Sequence, residues 1–369
     1  MLAFVSYDKC IMVEHYIPAN QLRIIDMIRK VPIGTDISKL NQKELDELND
    51  TAMPNKRFLR HILSKNTRHV SKKTFIIPVS GTAITGYLFE KDTTDSDGLS
   101  PLIVFYHGGG WTWGNMELYA YFCSRIVHAT GARILSVDYR LSPKYKFPIP
   151  LEDCYNTLIW ASKGARYWRT DPDRIYVMGD CAGGNLAAAV SRKSRDEKGP
   201  HIAGQILIYP ITDCRMRTNS FEQYADIRTI SSKEISCYIS NYMTEPKDLI
   251  DPAFSPLQGK DQSRLPRTLI LGAEIDPLHD DGMLYADALA SADTPVQYLE
   301  EKGSIHGFIH IPGAVGTEEC EGAIDQFING RNIENITLMS RKQLEREQRK
   351  KMKSKKKNER GHINATIIK

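Results

Sequence analysis

The chain has 369 residues, 41% of them hydrophobic and 25% charged, an ordinary globular balance with room for one large domain plus appendages. No apolar run reaches the length of a membrane-spanning helix, and the opening stretch Met1–Asp8 is too short and too soon charged for a secretory leader, so a cytoplasmic protein is expected. The net charge of +4 is uneven: residues 331–369 hold thirteen Lys/Arg against four Asp/Glu, so a tail of +9 follows a mildly acidic body of −5.

Residues 1–70 carry two helical patterns, Ala19–Val31 and Lys43–Ser64, broken by Pro32-Ile33-Gly34. Thr74–Val79 and Ile84–Glu90 read as a hairpin turned at Ser80-Gly81. Strand and helix patterns then alternate: strands at Leu102–Tyr106 and Arg133–Val137, a helix near Leu151–Ser162, then a strand at Ile175–Met178. That rhythm predicts an α/β fold built on a mostly parallel sheet with helices on both faces. The first of these strands ends in His107-Gly108-Gly109-Gly110-Trp111. A triple glycine there lets the backbone turn N–H groups toward a ligand without Cβ obstruction, as an oxyanion hole requires.

The strand at Ile175–Met178 runs into Gly179-Asp180-Cys181-Ala182-Gly183-Gly184 and a helix beginning near Asn185. Strand, sharp turn and helix make a nucleophile elbow, which needs small residues two before and two after the nucleophile. Gly179 and Gly183 supply them; the nucleophile position, normally serine, is Cys181. After the strand Gln205–Tyr209 comes a long connection, Asp213–Pro252, with a helical stretch at Ser232–Met243. Thr268–Gly272 reads as a further strand leading to Asp276, and Val296–Glu300 as the last, leading to His306. A final helical pattern covers Glu318–Ile328. Nucleophile, acid and base thus follow in the chain order of α/β-hydrolases.

Five motifs in order, His107–Trp111, Asp138-Tyr139-Arg140-Leu141-Ser142-Pro143, Gly179–Asn185, Asp276–Asp280 and His306-Gly307-Phe308, give the chain a close resemblance to the hormone-sensitive-lipase-like, H-G-G-G carboxylesterases of the α/β-hydrolase fold over residues 70–330. The resemblance implies an α/β-hydrolase fold with a helical cap. Its domains would be N-terminal cap helices over residues 1–70, a catalytic domain over 71–330 with a cap insertion at 213–252, and a basic tail over 331–369. It implies Cys181 as nucleophile, Asp276 as acid and His306 as base, with Gly109, Gly110 and Ala182 as oxyanion donors. The Asp138-Tyr139-Arg140 motif would brace the glycine loop, and Asp180 would be a positioning residue. His279 reads as an exposed helix-start residue, and His128, His201 and His310 have no partner motif. Tyr16, Phe221, Tyr224, Tyr238 and Tyr242 would line a pocket or fill the cap's own core.

The sequence departs from the resemblance at Cys181. A thiol is far more acidic than a hydroxyl, and an imidazolium and a helix N-terminus favour its thiolate. The expected activity is hydrolysis of small acyl esters, thioesters or lactones by a Cys-His-Asp triad. The alternative is an impaired or non-catalytic homologue that keeps the pocket for a small ligand. Seven cysteines without C-x-x-C or His/Cys ligand spacing point to free thiols and no metal site, and no cofactor is expected. The tail's clustered Lys/Arg is an electrostatic footprint for nucleic acid or an anionic membrane, but no aromatic residue interleaves with it, and a solvated extension is the plainer reading.

Overall fold

A computed structural model of the chain describes residues 40–50, 69–92, 98–227, 229–311 and 313–330. The pattern at 19–31, Tyr16, most of the Lys43–Ser64 pattern and the tail at 331–369 lie outside them. In chain order the elements are α1 (Gln42–Asp50), β1 (Val70–Val79), β2 (Thr82–Lys91), β3 (Ser100–Tyr106), α2 (Met116–Thr130), β4 (Arg133–Val137), α3 (Ile149–Gly164), β5 (Thr170–Asp180), α4 (Ala182–Asp196), β6 (Gly204–Ile208), α5 (Asn219–Gln223), α6 (Ser232–Tyr242), β7 (Thr268–Ile275), α7 (His279–Ser291), β8 (Val296–Ile305) and α8 (Thr317–Asn329).

The eight strands form one sheet in the order β1-β2-β4-β3-β5-β6-β7-β8. β1 pairs with β2, and β2 with β4, in antiparallel fashion. Every pair from β4 through β3 to β8 is parallel. The expected α/β-hydrolase architecture is therefore present. β3, β4 and β6 are almost wholly buried, as are the last six residues of β5 and the first six of β7. Burial on both faces explains why these strands read as continuous apolar runs, with no polar alternation. α4 is buried along nearly its whole length, because its Leu186-Ala187-Ala188-Ala189-Val190 stretch lies against the middle of the sheet.

Two strands outrun their apolar signal. β7 continues through Ala273, Glu274 and Ile275, and β8 through Glu301 to Ile305, across a register shift between Ala273 and Ile275. Asp276 and His306 are consequently the first residues past two adjacent strand ends, not residues within loops. Among the described residues no helix is long and apolar enough to cross a membrane.

Candidate active site

The elbow forms because β5 stops at Asp180 and α4 begins at Ala182, leaving a single residue to reverse the chain. That residue, Cys181, takes φ 52° and ψ −116°, a conformation non-glycine residues rarely adopt and one that marks functional turns. The closeness required of its neighbours is literal: a Cβ on Gly179 would fall 2.2 Å from the Gly183 carbonyl oxygen, and one on Gly183 2.0 Å from that of Tyr106. The Cys181 N–H donates to Ile208 O at 2.9 Å, tying the turn to the neighbouring strand end. The first turn of α4, with its unpaired N–H groups, follows at once.

Asp276 and His306 meet at the ends of β7 and β8. His306 Nδ1 donates to Asp276 Oδ2 at 2.7 Å, and Asp276 Oδ1 accepts the Leu278 N–H at 2.8 Å. Both side chains are buried. With Nδ1 committed to the carboxylate, the other nitrogen of the imidazole is left for Cys181, whose sulfur is near enough to act on the ring electrostatically. Burial works against charging His306, but the Asp276 carboxylate and the Cys181 sulfur outweigh it and hold its pKa well above the ordinary 6.5. Tyr209 packs its ring 4.5 Å from that of His306. The three residues singled out in the sequence thus form one contact chain, sulfur to imidazole to carboxylate.

The glycine loop lies opposite. Gly109 and Gly110 have φ of 100° and 60°, and among the described residues neither N–H has a protein acceptor. Thr112 N–H and Trp113 N–H both donate to Gly109 O, closing the loop on itself. His107 is buried, and burial lowers its pKa to about 4 against the opposing pull of the Gly108 carbonyl and Asp180. Its neutral ring donates from Nδ1 to Gly108 O at 2.7 Å and stacks on Tyr139 at 4.4 Å. The Tyr139 hydroxyl donates to His107 O at 2.7 Å, so this residue of the Asp138-Tyr139-Arg140 motif braces the loop. Arg140 instead clamps Asp153 of α3 with two side-chain hydrogen bonds.

The connection at 213–252 contributes α6 to this region. The Tyr238 ring lies so close to Gly110 that a Cβ there would sit 2.1 Å from it, and the Trp113 indole N–H donates to the Tyr238 hydroxyl at 2.8 Å. Tyr242 stacks on Trp111 at 4.5 Å and on Phe254 at 5.0 Å, so it belongs to an aromatic core. From the N-terminal side, Asn49 of α1 donates to Thr112 O at 3.0 Å. Asp280 is occupied elsewhere, accepting Ser220 N–H at 2.9 Å.

Two histidine readings need correction. His279 does start α7, but it is not exposed: it bridges Asp280 and Glu300, at 3.0 and 3.2 Å. His310, for which no motif suggested a partner, places Nε2 3.2 Å from Asp180 Oδ2. No spacing in the sequence announces that pair, because Asp180 and His310 lie 130 residues apart and meet only through the sheet order.

A mostly parallel sheet with a strained single-residue turn at one strand end, and a His–Asp pair at two others, is the build of a hydrolase. A sequence profile for the family described as "alpha/beta hydrolase fold" matches residues 103–310, and the chain belongs to that family. It is 30% identical over 239 residues to a putative α/β hydrolase, R526, of Acanthamoeba polyphaga mimivirus, covering 64% of this chain and 68% of that protein. It is 37% identical to the carboxylic ester hydrolase LipN of Mycobacterium tuberculosis, over 62% of this chain and 63% of LipN. Among solved structures, a hyperthermophilic esterase from the archaeon Pyrobaculum calidifontis superposes with a TM-score of 0.73 at 28% identity, covering 85% of this chain and 97% of the esterase.

Proposed function

We propose that the chain is a carboxylic ester hydrolase for small acyl esters that works through Cys181, His306 and Asp276. The observation that carries the reading is the contact chain itself: His306 joins a buried carboxylate to a sulfur on a strained elbow. The N–H groups of Gly109, Gly110 and Ala182 are the proposed oxyanion donors, by their place on the free glycine loop and at the first position of α4. The esterases among its relatives support the reaction class.

The steps follow from these groups. The Cys181 thiolate attacks the ester carbonyl carbon, forming a C–S bond while the carbonyl π electrons move to oxygen. The donors hold that oxyanion, usually a large part of acyl-transfer catalysis. The intermediate collapses, the C–O bond to the alcohol breaks, and imidazolium His306 gives the alcohol its proton. Neutral His306 then takes a proton from water, whose oxygen attacks the thioester. Collapse expels the thiolate and releases the acid. Asp276 keeps the imidazole in one tautomer throughout.

Sulfur narrows the substrate. A thiolate leaves a tetrahedral intermediate more readily than an alkoxide, so attack on a simple alkyl ester tends to reverse. Aryl esters, thioesters and strained lactones have leaving groups that compete, and these are the proposed substrates. Intact-mass spectrometry during incubation with p-nitrophenyl acetate and butyrate, with turnover followed in parallel, tests the reading. An acyl adduct on Cys181 that forms and clears is expected. Absence of both adduct and turnover would overturn it in favour of a ligand-binding homologue.

A further inference from the structure

We propose that His310 is a positioning residue for this reaction: through Asp180 it fixes the segment carrying His306 against both the elbow and the glycine loop. The inference rests on the ester-hydrolase reading for its catalytic readout.

Asp180 immediately precedes Cys181 and is 2% exposed. Its Oδ1 accepts the Gly108 N–H at 2.8 Å. Its Oδ2 meets His310 Nε2 at 3.2 Å and the Tyr119 hydroxyl at 3.5 Å. Carboxylate oxygens accept, so in this contact His310 donates from Nε2. Gly108 adjoins Gly109, and His310 ends the 3₁₀ turn Phe308–His310, four residues after His306. One carboxylate therefore joins the segments that hold the proposed nucleophile, oxyanion donors and base. The Tyr119 side chain spans the same three segments, meeting His107, Asp180 and His310.

The imidazole is itself held. The Tyr119 ring meets it edge-on at 4.6 Å and 84°, and Phe122 lies 6.2 Å away at 70°. The bond to Asp180 has a second consequence. A carboxylate one residue from the reacting sulfur opposes the negative charge of the oxyanion. Its two N–H partners hold its oxygens toward Gly108 and His310. Loss of the His310 donor would leave Oδ2 with only the longer contact to Tyr119. A displacement of about 1 Å among reacting groups costs about 100-fold.

The test compares the unsubstituted chain with His310→Phe, which keeps an aromatic ring against Tyr119 and Phe122 but has no donor, and with His310→Gln, which restores an N–H donor. Three quantities are read: kcat and KM for p-nitrophenyl acetate, the rate of Cys181 alkylation by iodoacetamide, and the melting temperature. His310→Phe is expected to lower kcat by roughly 10-fold or more with KM within about two-fold, and to slow alkylation, while His310→Gln recovers most of both. Unchanged kcat and alkylation in His310→Phe would overturn the proposal. So would equal losses in both variants that track a lower melting temperature, which would mark His310 as merely structural. An unsubstituted chain that neither acylates nor turns over would refute the ester-hydrolase reading, while the alkylation series would still decide on His310. Should His310→Phe not fold, ¹⁵N-histidine NMR of the unsubstituted chain decides: a proton on His310 Nε2 supports the proposal, and one on Nδ1 alone overturns it.

Discussion

Cys181 occupies a backbone conformation that its own Cβ disfavours, and it does so where sulfur replaces the expected oxygen. The imidazole and carboxylate behind it are those that a serine would need. Cys181→Ser is therefore expected to raise hydrolysis of p-nitrophenyl acetate by about 10-fold or more, measured as kcat/KM. A folded serine variant slower than the parent would mean that the pocket has adapted to the larger atom. Labelling gives a second check. Burial pushes the thiols of Cys123, Cys154, Cys214 and Cys320 far above the ordinary range, so they resist alkylation. Brief iodoacetamide treatment and peptide mapping should find Cys181 modified first; prior modification of half-buried Cys237 would refute this. The contact between His306 and Asp276 was legible because each follows an apolar strand in a known order. The Asp180–His310 bond was not, since nothing local to either residue encodes a meeting across 130 positions.

Elements position the site by ending where they do. β5 can hand over to α4 in one residue only because Gly179 and Gly183 let the strand and helix backbones touch. Gly183→Ala is expected to drive a methyl into the Tyr106 carbonyl, costing roughly 1–3 kcal/mol and abolishing a usable elbow. A melting curve beside an acylation assay checks both, and a stable, active variant would contradict the geometry. The start of α7 carries a pH-dependent link. The side-chain bond to Glu300, helped by Asp280, raises the pKa of His279 to about 9 despite burial. The same bond, with help from Lys302, lowers that of Glu300 to about 2 against its own burial. A raised histidine stabilises fully below its unfolded value near 6.5 and loses that contribution as pH rises through about 9. A lowered carboxylate stabilises above about 4.5 and loses its contribution as pH falls through about 2. The pair is therefore worth most between pH 4.5 and 6.5. The melting-temperature deficit of His279→Gln should be largest there and vanish above about pH 9; a deficit flat with pH would refute the ion pair. Apolar runs located most of the strands. They did not reveal that β7 and β8 extend to Ile275 and Ile305, because Glu274, Glu301 and Lys302 interrupt the signal with charges, of which Glu274 and Lys302 pair across the sheet end.

The molecule as a whole divides by charge. Removal of residues 331–369 takes the net charge from +4 to −5, so the shortened chain should lose its retention on a cation exchanger at neutral pH. Ester hydrolysis should be unchanged and the melting temperature should move by less than about 5 °C, since the removed stretch has few apolar residues to bury. A larger drop would place those residues among the supports of the fold. Architecture was the most legible property, because strand–helix alternation and the order of motifs both survive in a linear reading. The lateral order β1-β2-β4-β3-β5-β6-β7-β8 also bears on synthesis. Cys181 leaves the ribosome 125 residues ahead of His306. At about 5–20 residues per second, that gap lasts roughly 6–25 s. For that interval the nascent chain holds the Cys181 sulfur without the His306 imidazole, and the Asp276 carboxylate follows only after the first 95 residues. The sulfur proposed as the nucleophile is thus open to oxidants and misplaced thiol exchange before the imidazole that packs beside it exists.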